Sequence, residues 1–415
     1  MTENFNNNNN EVMSFDNDAG NDSMKTYLDG DFFKMPSVIA FKGSQDFTAP
    51  VSFESDEDRK NYMENFLDHM DVSISSNAIT ENRRFLVGNN ASNSGLPLTS
   101  FDLNDLSGKS DVDLTVLLTL SLIAGNRVKK AYEKGESLND PLKVEVSMTT
   151  ALPILEGKQA GKIDKYSSRY LNATHVVTFH NFKDPIVVQI HFKKAYVGLE
   201  GEMAQLMISN SINKQLGHII INQLKKRYPK IASSLTPEVL SKLIKNSLGI
   251  DIGGGTTEWT VITNGVTNLN VSTSLMQGFD NVLERSRLYL QTKNINFENI
   301  SQLQEYLNSD TEDFFSNNKE IVKQAINENA ATFNEQIIKQ TSAVVRQIGS
   351  QLNLVFVYGG GSIPLAETSL LEELSNKLKL FKGGSEVPVI WIPTEYAQIM
   401  NLGGLSIVQK TMQLA

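Results

Sequence analysis

The sequence predicts an α/β protein built of two similar halves, each with a mixed β-sheet flanked by helices. Short β-type runs alternate along the chain with segments in which apolar residues recur at helical spacing. Two β-type runs turn back on themselves through an Asp-x-Gly hairpin, once near the start and once after the middle. The chain has 415 residues, and a single hydrophobic core is usually smaller than a chain of this length requires, so at least two lobes are expected.

Composition excludes several functional classes. The net charge of −9 has the wrong sign for a surface that binds nucleic acid through its phosphates, so any link to DNA is expected to be indirect. Cysteine is absent, which excludes disulfides and thiolate metal sites and fits a reducing cytoplasm. No apolar run approaches the roughly 18 residues of a membrane span. The first residues lack the basic segment followed by an apolar segment that is typical of a signal peptide. We expect a soluble cytoplasmic protein whose Asn-rich residues 1–11 form a disordered leader.

The first part of the chain predicts strands followed by a long helix. Residues 12–15, 37–41 and 83–88 are β-type, and a long amphipathic helix is expected between about Asp111 and Gly135. Residues 142–153 form a buried strand that ends in a proline turn, and residues 175–202 alternate like paired strands around Asp184-Pro185.

The second part repeats this order. Helical spacing covers 204–245 with breaks at 228–229 and 236–237, and strands are expected between 247 and 274. A helix is predicted at 278–291, and a long polar helical region at about 295–352. A strand into a glycine cluster follows, then the strand 387–393 and a last helix from about Glu395.

The stretch SLGIDIGGGTTEWTVI, residues 247–262, combines a carboxylate with a glycine turn. A Rossmann or Walker turn would lead from a strand into a helix, whereas the residues after these glycines are β-branched and aromatic, so a hairpin is predicted. Glycine amides in a turn can bind an anion, and Thr256 and Thr257 add hydroxyl groups. Asp251 would repel a bare phosphate, but Mg²⁺ between them removes that objection.

A second hairpin, DAGNDSMK at residues 18–25, has the same Asp-x-Gly pattern and adds Lys25 as a phosphate partner. Alone, such a hairpin is best explained as an ordinary tight turn, but the repetition favours a ligand site. We expect the two hairpins to face each other from two lobes and to hold a polyphosphate. Asp18 and Asp251 would then contact the water shell of the metal.

A third glycine cluster, VYGGGSIP at residues 357–364, joins a buried strand to a helical segment. Its backbone carries no side chains that would obstruct a planar base. The sequence therefore predicts that this segment lies against a nucleoside.

With these motifs, the chain resembles the actin-like ATPases, the superfamily of actin, Hsp70 and sugar kinases, and within it most resembles the ParM-type plasmid-segregation proteins. Residues 18–25 are similar to the phosphate-1 motif, residues 251–257 to phosphate-2, and residues 357–365 to the adenosine motif. Asn401 and Gly403 match the second connecting segment, and TTALPI at 149–154 resembles the GLP element with Ala151 in place of its glycine.

The resemblance implies a two-lobed fold around a nucleotide cleft. It places domain I at residues 12–220 plus 393–415 and domain II at 221–392. It implies ATP, with GTP also possible, and Mg²⁺ held through water by Asp18 and Asp251, of which Asp251 also counts as catalytic. The implied nucleotide-binding residues are Asp18, Gly20, Asn21, Ser23, Lys25, Gly253, Gly254, Gly255, Thr256, Thr257, Glu284, Arg287, Gly359, Gly360, Gly361 and Ser362.

Two further roles that the resemblance implies each have an alternative. In the ParM branch a PEG-like element orients the attacking water through its Glu; Glu200 takes this place here, with Leu199 where proline is usual and Glu202 as the rival. Glu284 and Arg287 match a Glu and a basic residue that Hsp70-like members present to adenosine. An ordinary surface ion pair at i, i+3 explains them equally well.

The function implied is a nucleotide triphosphatase that polymerises into dynamic filaments by head-to-tail contacts. It would move plasmid DNA indirectly, through a ParR-like adaptor bound to the centromere, without contact to a membrane. The alternatives are a small-molecule kinase of the same superfamily and an Hsp70-like chaperone ATPase. No convincing motif for a kinase base and no appended binding domain are found in the sequence, which favours the filament.

Overall fold

The structure is a computed structural model that describes residues 12–43, 45–46, 48–80, 82–101, 108–309 and 318–414. Residues 1–11, expected to be a disordered leader, lie outside the described part. The chain divides into two compact units. Unit one comprises Met1–Leu152, Glu156–Leu199 and Leu405–Ala415, and unit two comprises Pro153–Leu155 and Glu200–Gly404.

Unit one contains a mixed nine-stranded sheet in the order β3-β2-β1-β7-β9-β8-β5-β6-β4. Its strands are β1 (Met13–Ala19), β2 (Ser23–Leu28), β3 (Asp31–Pro36), β4 (Ile39–Phe41), β5 (Asp71–Ser76), β6 (Arg84–Val87), β7 (Leu142–Leu152), β8 (His175–Phe179) and β9 (Ile186–Leu199). Its central strands β1, β7 and β9 are parallel, and the outer pairs are antiparallel.

The helices of unit one include one that is almost entirely buried. They are α1 (Asp56–Glu64), α2 (Asn89–Ser92), α3 (Asp113–Glu133) and α5 (Lys162–Leu171), while α4 (Ile154–Gly157) crosses the division between the units. α3 packs across β1, β7, β8 and β9, which explains why this segment is apolar on nearly all sides. At this interface Asn17 Nδ2 donates to Thr119 Oγ1 at 3.2 Å.

Unit two contains a six-stranded sheet in the order β12-β11-β10-β14-β15, with β13 paired to β11. Its strands are β10 (Ser247–Ile252), β11 (Thr257–Thr263), β12 (Val266–Thr267), β13 (Thr273–Leu275), β14 (Leu354–Tyr358) and β15 (Val389–Trp391). β14 is buried on both faces: Val355 and Val357 enter one apolar cluster, whereas Leu354, Phe356 and Tyr358 enter another. Because both faces are buried, this strand needs apolar residues at successive positions.

Helices cover both faces of the unit-two sheet. They are α6 (Glu200–Asn210), α7 (Gln215–Arg227), α8 (Pro237–Leu243), α9 (Phe279–Gln291), α10 (Ile300–Asn308), α11 (Asn318–Ile348), α12 (Ser362–Leu365), α13 (Leu370–Phe381), α14 (Thr394–Ala397) and α15 (Met400–Leu414), whose last residues belong to unit one. α9, α10, α11 and α13 contribute to one apolar cluster, and α6, α7, α8 and α14 to the other. In the described part of the chain, short 3₁₀ helices lie at Phe66–Asp68, Pro229–Ser234 and Gly349–Gln351.

The two sheets share a connection pattern, which confirms the prediction of two mixed sheets flanked by helices. In unit one, β1 pairs antiparallel with β2 and parallel with β7. In unit two, β10 pairs antiparallel with β11 and parallel with β14. Each unit thus places the turn of a hairpin at the carboxyl end of its first strand, next to a parallel neighbour.

The division between the units differs from the boundaries expected at residues 220 and 392. It falls at Leu199/Glu200 and at Gly404/Leu405. The first boundary lies earlier because α6 packs on β10 and β11. The second lies later because α12, which follows β14, packs on α14.

Several predicted elements also have different extents. α6 begins at Glu200 rather than near Ala204, and the segment after the last glycine cluster forms α12 and α13 instead of one helix. The polar region 295–352 contains α10 and α11, with 310–317 outside the described residues. β3, β5, α1, α2, α4 and α5 were not predicted. Among the described residues, no helix combines the length and apolar character needed to cross a membrane.

Candidate functional site

The β1–β2 hairpin of unit one carries a charged pair at its turn. Asp18 and Lys25 are direct cross-strand partners, and Lys25 Nζ lies 3.7 Å from Asp18 Oδ2. The side chain of Lys25 is 16% exposed and that of Asp18 is 9% exposed. Because both charges are largely removed from bulk water, a charged ligand would interact with them more strongly than at an open surface.

Ser37 fixes the turn of this hairpin. Its hydroxyl donates to Gly20 O at 2.7 Å, and its amide donates to Asp22 O at 2.9 Å. Gly20 N donates to Asp18 O at 3.0 Å, while Ser23 is buried at the start of β2. No hydrogen bond among the described residues uses the backbone amides of Asn21 and Asp22. These two amides are therefore available to a ligand or to water.

The β10–β11 hairpin of unit two has the predicted strand-to-strand form. Gly253 N donates to Thr256 O at 2.8 Å and closes the turn. The carbonyls of Gly253 and Gly254 accept from Phe279 N at 3.0 Å and Asp280 N at 2.9 Å. The first amides of α9 are thus used to hold the glycine loop and are not open to an anion.

The two threonines of this loop differ in their environment. Thr257 is fully buried, and its Oγ1 donates to Gln277 O at 2.9 Å, so its hydroxyl supports the loop. Thr256 is half-buried at the turn itself. Within the described chain, the amides of Gly254, Gly255 and Thr256 donate to no acceptor. These three amides can donate to a ligand or to water, and their role in anion binding stays a prediction.

The third glycine cluster packs directly onto Asp251. Gly359 has φ +91°, and a Cβ at this position would lie 2.3 Å from Asp251 Oδ1. Its amide donates to Ala397 O at 3.0 Å, and Gly361 N donates to Ile252 O at 2.8 Å. Only glycine satisfies both the backbone conformation and this close approach.

Ser362 closes the same turn. It is fully buried, and its Oγ donates to Gly359 O at 2.8 Å. Its carbonyl accepts from Trp391 Nε1 at 3.2 Å. The hydroxyl of Ser362 therefore stabilises the turn, whereas Gly360, between the two other glycines, is exposed.

Glu200 lies at the first position of α6 and is only 8% exposed. The helix approaches β11 so closely that a Cβ on Gly201 would lie 1.6 Å from Thr260 Oγ1. Glu200 is therefore not at a solvated strand end, the alternative that applies to an isolated Glu. Glu202, its rival, is half-buried.

Glu258 is a functional candidate that the sequence reasoning missed. It is 2% exposed and faces Asp251 across the β10–β11 ladder. Its Oε1 accepts from Ile154 N at 2.9 Å and from Ser274 Oγ at 2.8 Å, while Oε2 has no hydrogen-bond partner among the described residues.

Burial, followed by the negative charges of Glu200 and Asp251, raises the pKa of Glu258 to about 8. The Glu258 carboxyl is therefore largely protonated at neutral pH. The signal that would have identified it is the hairpin register: counting outward from the Ile252–Thr257 pair places Glu258 opposite Asp251.

Glu284 and Arg287 on α9 pair with each other. Arg287 Nε and Nη2 donate to the two carboxylate oxygens of Glu284 at 2.8 and 2.7 Å, and Nη1 donates to Phe297 O at 3.2 Å. The Glu284 side chain is 41% exposed. The hydrogen bonds from Arg287 lower the pKa of Glu284. The contacts are those of a surface ion pair, so they add no support to the implied adenosine contact.

The donor chemistry of the site suits Mg²⁺ bound largely through water. Among the described residues, no group of three or more His, Cys, Asp or Glu side chains is arranged to hold a metal ion. Mg²⁺ usually keeps several waters and takes one or two carboxylates plus substrate phosphates. Asp251, half-buried and held by a hydrogen bond from Asn401 Nδ2, is a carboxylate of this kind.

Comparison with known proteins gives one partial family match. A family model described as archaeal actin homologue MreB-like, C-terminal, matches residues 249–371. This range contains the β10–β11 hairpin and the glycine cluster at 359–361. No curated protein sequence matches the chain.

Solved structures match over nearly the whole chain. The crystal structure of actin-like protein Alp7A is 19% identical, with a TM-score of 0.68 and 97% of both chains covered. An archaeal actin homologue is 15% identical, with a TM-score of 0.59 over 97% of this chain and 100% of that one. The fold is actin-like.

The same actin-like fold occurs in Bacillus thuringiensis ParM, whose structure with ATP is 15% identical. Its TM-score is 0.56, over 97% of this chain and 100% of that one. Structures of that ParM with ADP and with AMPPNP also match. At such identities the likeness establishes the actin-like fold and does not transfer residue roles.

Proposed function

We propose that this protein binds and hydrolyses ATP with Mg²⁺ and polymerises into dynamic filaments. GTP is the competing nucleotide, because a glycine backbone against the base would contact few of the edge atoms that distinguish guanine from adenine. We further propose that the filaments move plasmid DNA through a ParR-like DNA-binding adaptor. The net charge of −9 agrees with an indirect contact to DNA.

The observation that carries the proposal is the enclosure of Asp251. One of its oxygens accepts from Asn401, the other lies beneath Gly359, and its strand ends at a loop with unused amides. A structural carboxylate does not require a glycine with positive φ against it and an open anion-binding loop beside it. Metal-bound phosphate accounts for both features.

The proposed roles divide among the motifs. Asp251 and Asp18 would each hold Mg²⁺ through water, and the metal, when bound, neutralises charge on the phosphates. The loop amides at 254–256, the turn amides of the β1–β2 hairpin and Lys25 bind phosphate oxygens. Gly360, exposed between β14 and α12, offers its backbone to the nucleoside.

Glu200 is proposed to position the attacking water. Its burial at the start of α6 supports this role, because a carboxylate removed from solvent can keep one orientation and accept a proton. Glu258 lies in the same unit and would be largely neutral at pH 7, so it adds little negative charge next to Asp251.

The test combines turnover with assembly. Purified protein at several micromolar is incubated with Mg²⁺ and ATP, GTP or ADP, and phosphate release and sedimentation are followed together. Polymer that pellets with a triphosphate and disassembles after phosphate release supports the proposal. No sedimentable polymer, together with turnover that depends on an added small acceptor, would instead identify a kinase.

The proposed adaptor contact is tested separately, with polymer already formed. Filaments alone should not retain double-stranded DNA at physiological salt, because both carry negative charge. Direct, salt-sensitive binding of random DNA by the filaments would contradict the indirect connection.

A further inference from the structure

A row of three charged residues crosses the edge of the unit-one sheet. Asp18 on β1 faces Lys25 on β2, and Lys25 faces Lys34 on β3. Directly opposed residues have Cβ atoms about 4.5–5.5 Å apart and their side chains on the same face of the sheet. Lys34 therefore accompanies Lys25, the residue assigned to phosphate binding, on the face that carries Asp18.

Two lysines in this arrangement are unfavourable without a negative charge near them, because like charges directly opposite destabilise a sheet. Partial burial of its ammonium group, and then the positive charge of Lys25, lower the pKa of Lys34, while the carboxylate of Asp22 acts in the opposite direction. Asp18 lies within 3.7 Å of Lys25 Nζ. The hairpin thus holds its two lysines close together with protein carboxylates beside them.

We propose that Lys34 is a second phosphate-binding cation of the β1–β2 hairpin and acts together with Lys25 on the nucleotide. This inference rests on the proposed function and deepens it, since it assigns a contact to β3, outside the hairpin motif at residues 18–25. Exposure increases outward along the row, from the buried Asp18 through the half-buried Lys25 to the exposed Lys34. Lys34 is therefore the member of the row that is most accessible to a ligand from solvent.

A different explanation is available for a lysine on β3. This strand is the edge of the nine-stranded sheet, and exposed lysines on edge strands prevent association with other strands. The neighbouring Phe32 is 51% exposed, so the edge has an apolar side chain to protect. The two explanations predict different effects of removing the charge, which makes them separable.

The experiment compares Lys34→Gln with Lys34→Arg and with a control, Lys60→Gln. Lys60 lies on α1 of the same unit with a side chain that is 68% exposed, so its replacement removes the same charge away from the row. Dissociation constants are measured for Mg-ATP, Mg-ADP and adenosine by calorimetry, and each variant is checked by circular dichroism and sedimentation without nucleotide.

We expect Lys34→Gln to weaken Mg-ATP binding about tenfold and to leave adenosine binding unchanged, because a hydrogen bond to a charged group is lost. Lys34→Arg should stay within about twofold of the wild type, since it keeps the charge. An effect of Lys34→Gln on Mg-ATP no larger than that of Lys60→Gln would overturn the inference. Aggregation of Lys34→Gln with unchanged Mg-ATP affinity would also overturn it, because this result would show that Lys34 only prevents association of the edge strand.

The proposed function fails differently, and its failure is visible in the wild type. If the unaltered protein binds neither ATP nor GTP, the proposed function and the role of Lys34 are both refuted. If the wild type binds Mg-ATP and Lys34→Gln does so equally well, only the role of Lys34 is refuted.

Discussion

The side-chain amide of Asn401 donates a hydrogen bond to Oδ2 of Asp251 at 3.0 Å. The two residues lie 150 positions apart in the chain, one at the end of β10 and the other at the start of α15. Asn401 is 9% exposed, so water competes little for this bond. The carboxylate therefore has one orientation before any ligand arrives.

Replacing Asn401 with Ala should weaken Mg²⁺-dependent ATP binding and turnover about 10- to 100-fold, the usual cost of losing a residue that orients a metal-binding group. Titration of Mg²⁺ at fixed ATP measures the effect. Asn327→Ala, on the exposed face of α11, serves as the control and should be silent. Equal Mg²⁺ dependence in the two variants would show that the hydrogen bond to Asp251 is only structural.

Glu200→Ala should slow phosphate release about a hundredfold or more while nucleotide affinity and assembly persist, because a group that positions water acts after binding. Polymer formed with ATP should then remain sedimentable for longer. Glu202→Ala is the matched comparison and should turn over ATP nearly as the wild type does. The assignment is wrong if Glu200→Ala loses nucleotide affinity to the same extent as activity, or if the two variants exchange phenotypes.

Glu258→Gln should reduce the pH dependence of the unfolding free energy. Since the folded-state pKa is raised from 4.5 to about 8, the folded protein holds this proton more tightly than the unfolded chain does. Its contribution to stability is complete below pH 4.5 and is lost as the pH rises to 8. Gln remains neutral, so the stability of the variant relative to the wild type should increase over that interval in denaturant titrations.

Glu258→Ala provides the control for this prediction. It removes the acceptor of Ile154 N and Ser274 Oγ and should be less stable than Glu258→Gln by about 2 kcal/mol. Identical stability of the Ala and Gln variants would show that these two hydrogen bonds contribute nothing. A constant difference between Gln and wild type from pH 4.5 to 8 would contradict the raised pKa.

Asp16 on β1 supplies an independent pH test in unit one. Burial raises its pKa from 3.8 to about 6, against the lowering effects of hydrogen bonds from Thr149 and Ser406. The sign is the same as for Glu258: stability is lost as the pH rises from 3.8 to 6. Asp16→Asn keeps an acceptor for Thr149 and should gain stability relative to the wild type by up to about 3 kcal/mol over that range. Asp140→Asn, at an exposed position, should show no such gain.

Much of the fold was predictable because its signals are local. The β10–β11 hairpin follows from a glycine turn between two β-type runs, and α3 from apolar residues at helical spacing. The hairpin that was missed, β2–β3, also carried a signal. Asp29 and Gly30 have φ of 52° and 94°, the conformation that an Asp-Gly pair favours between two strands.

Other features depend on which residues meet in space. α6 begins at Glu200 because the chain packs onto β11. Gly201 has no room for a side chain because Thr260, on that strand, lies against it. No spacing along the chain predicts this contact. The pairing of Lys34 with Lys25 differs, because counting outward from the Asp29-Gly30 turn already places the two lysines opposite each other.

By itself, the sequence determined that this protein has two mixed sheets with glycine hairpins that bear Asp18 and Asp251, since turns, alternation and helical periods arise from neighbouring residues. Only the tertiary structure decided the protonation of Glu258 and the orientation of Asp251. Glu258 became a neutral acid and Asp251 acquired a fixed orientation because burial and hydrogen bonds from distant segments set the free energy of each charge.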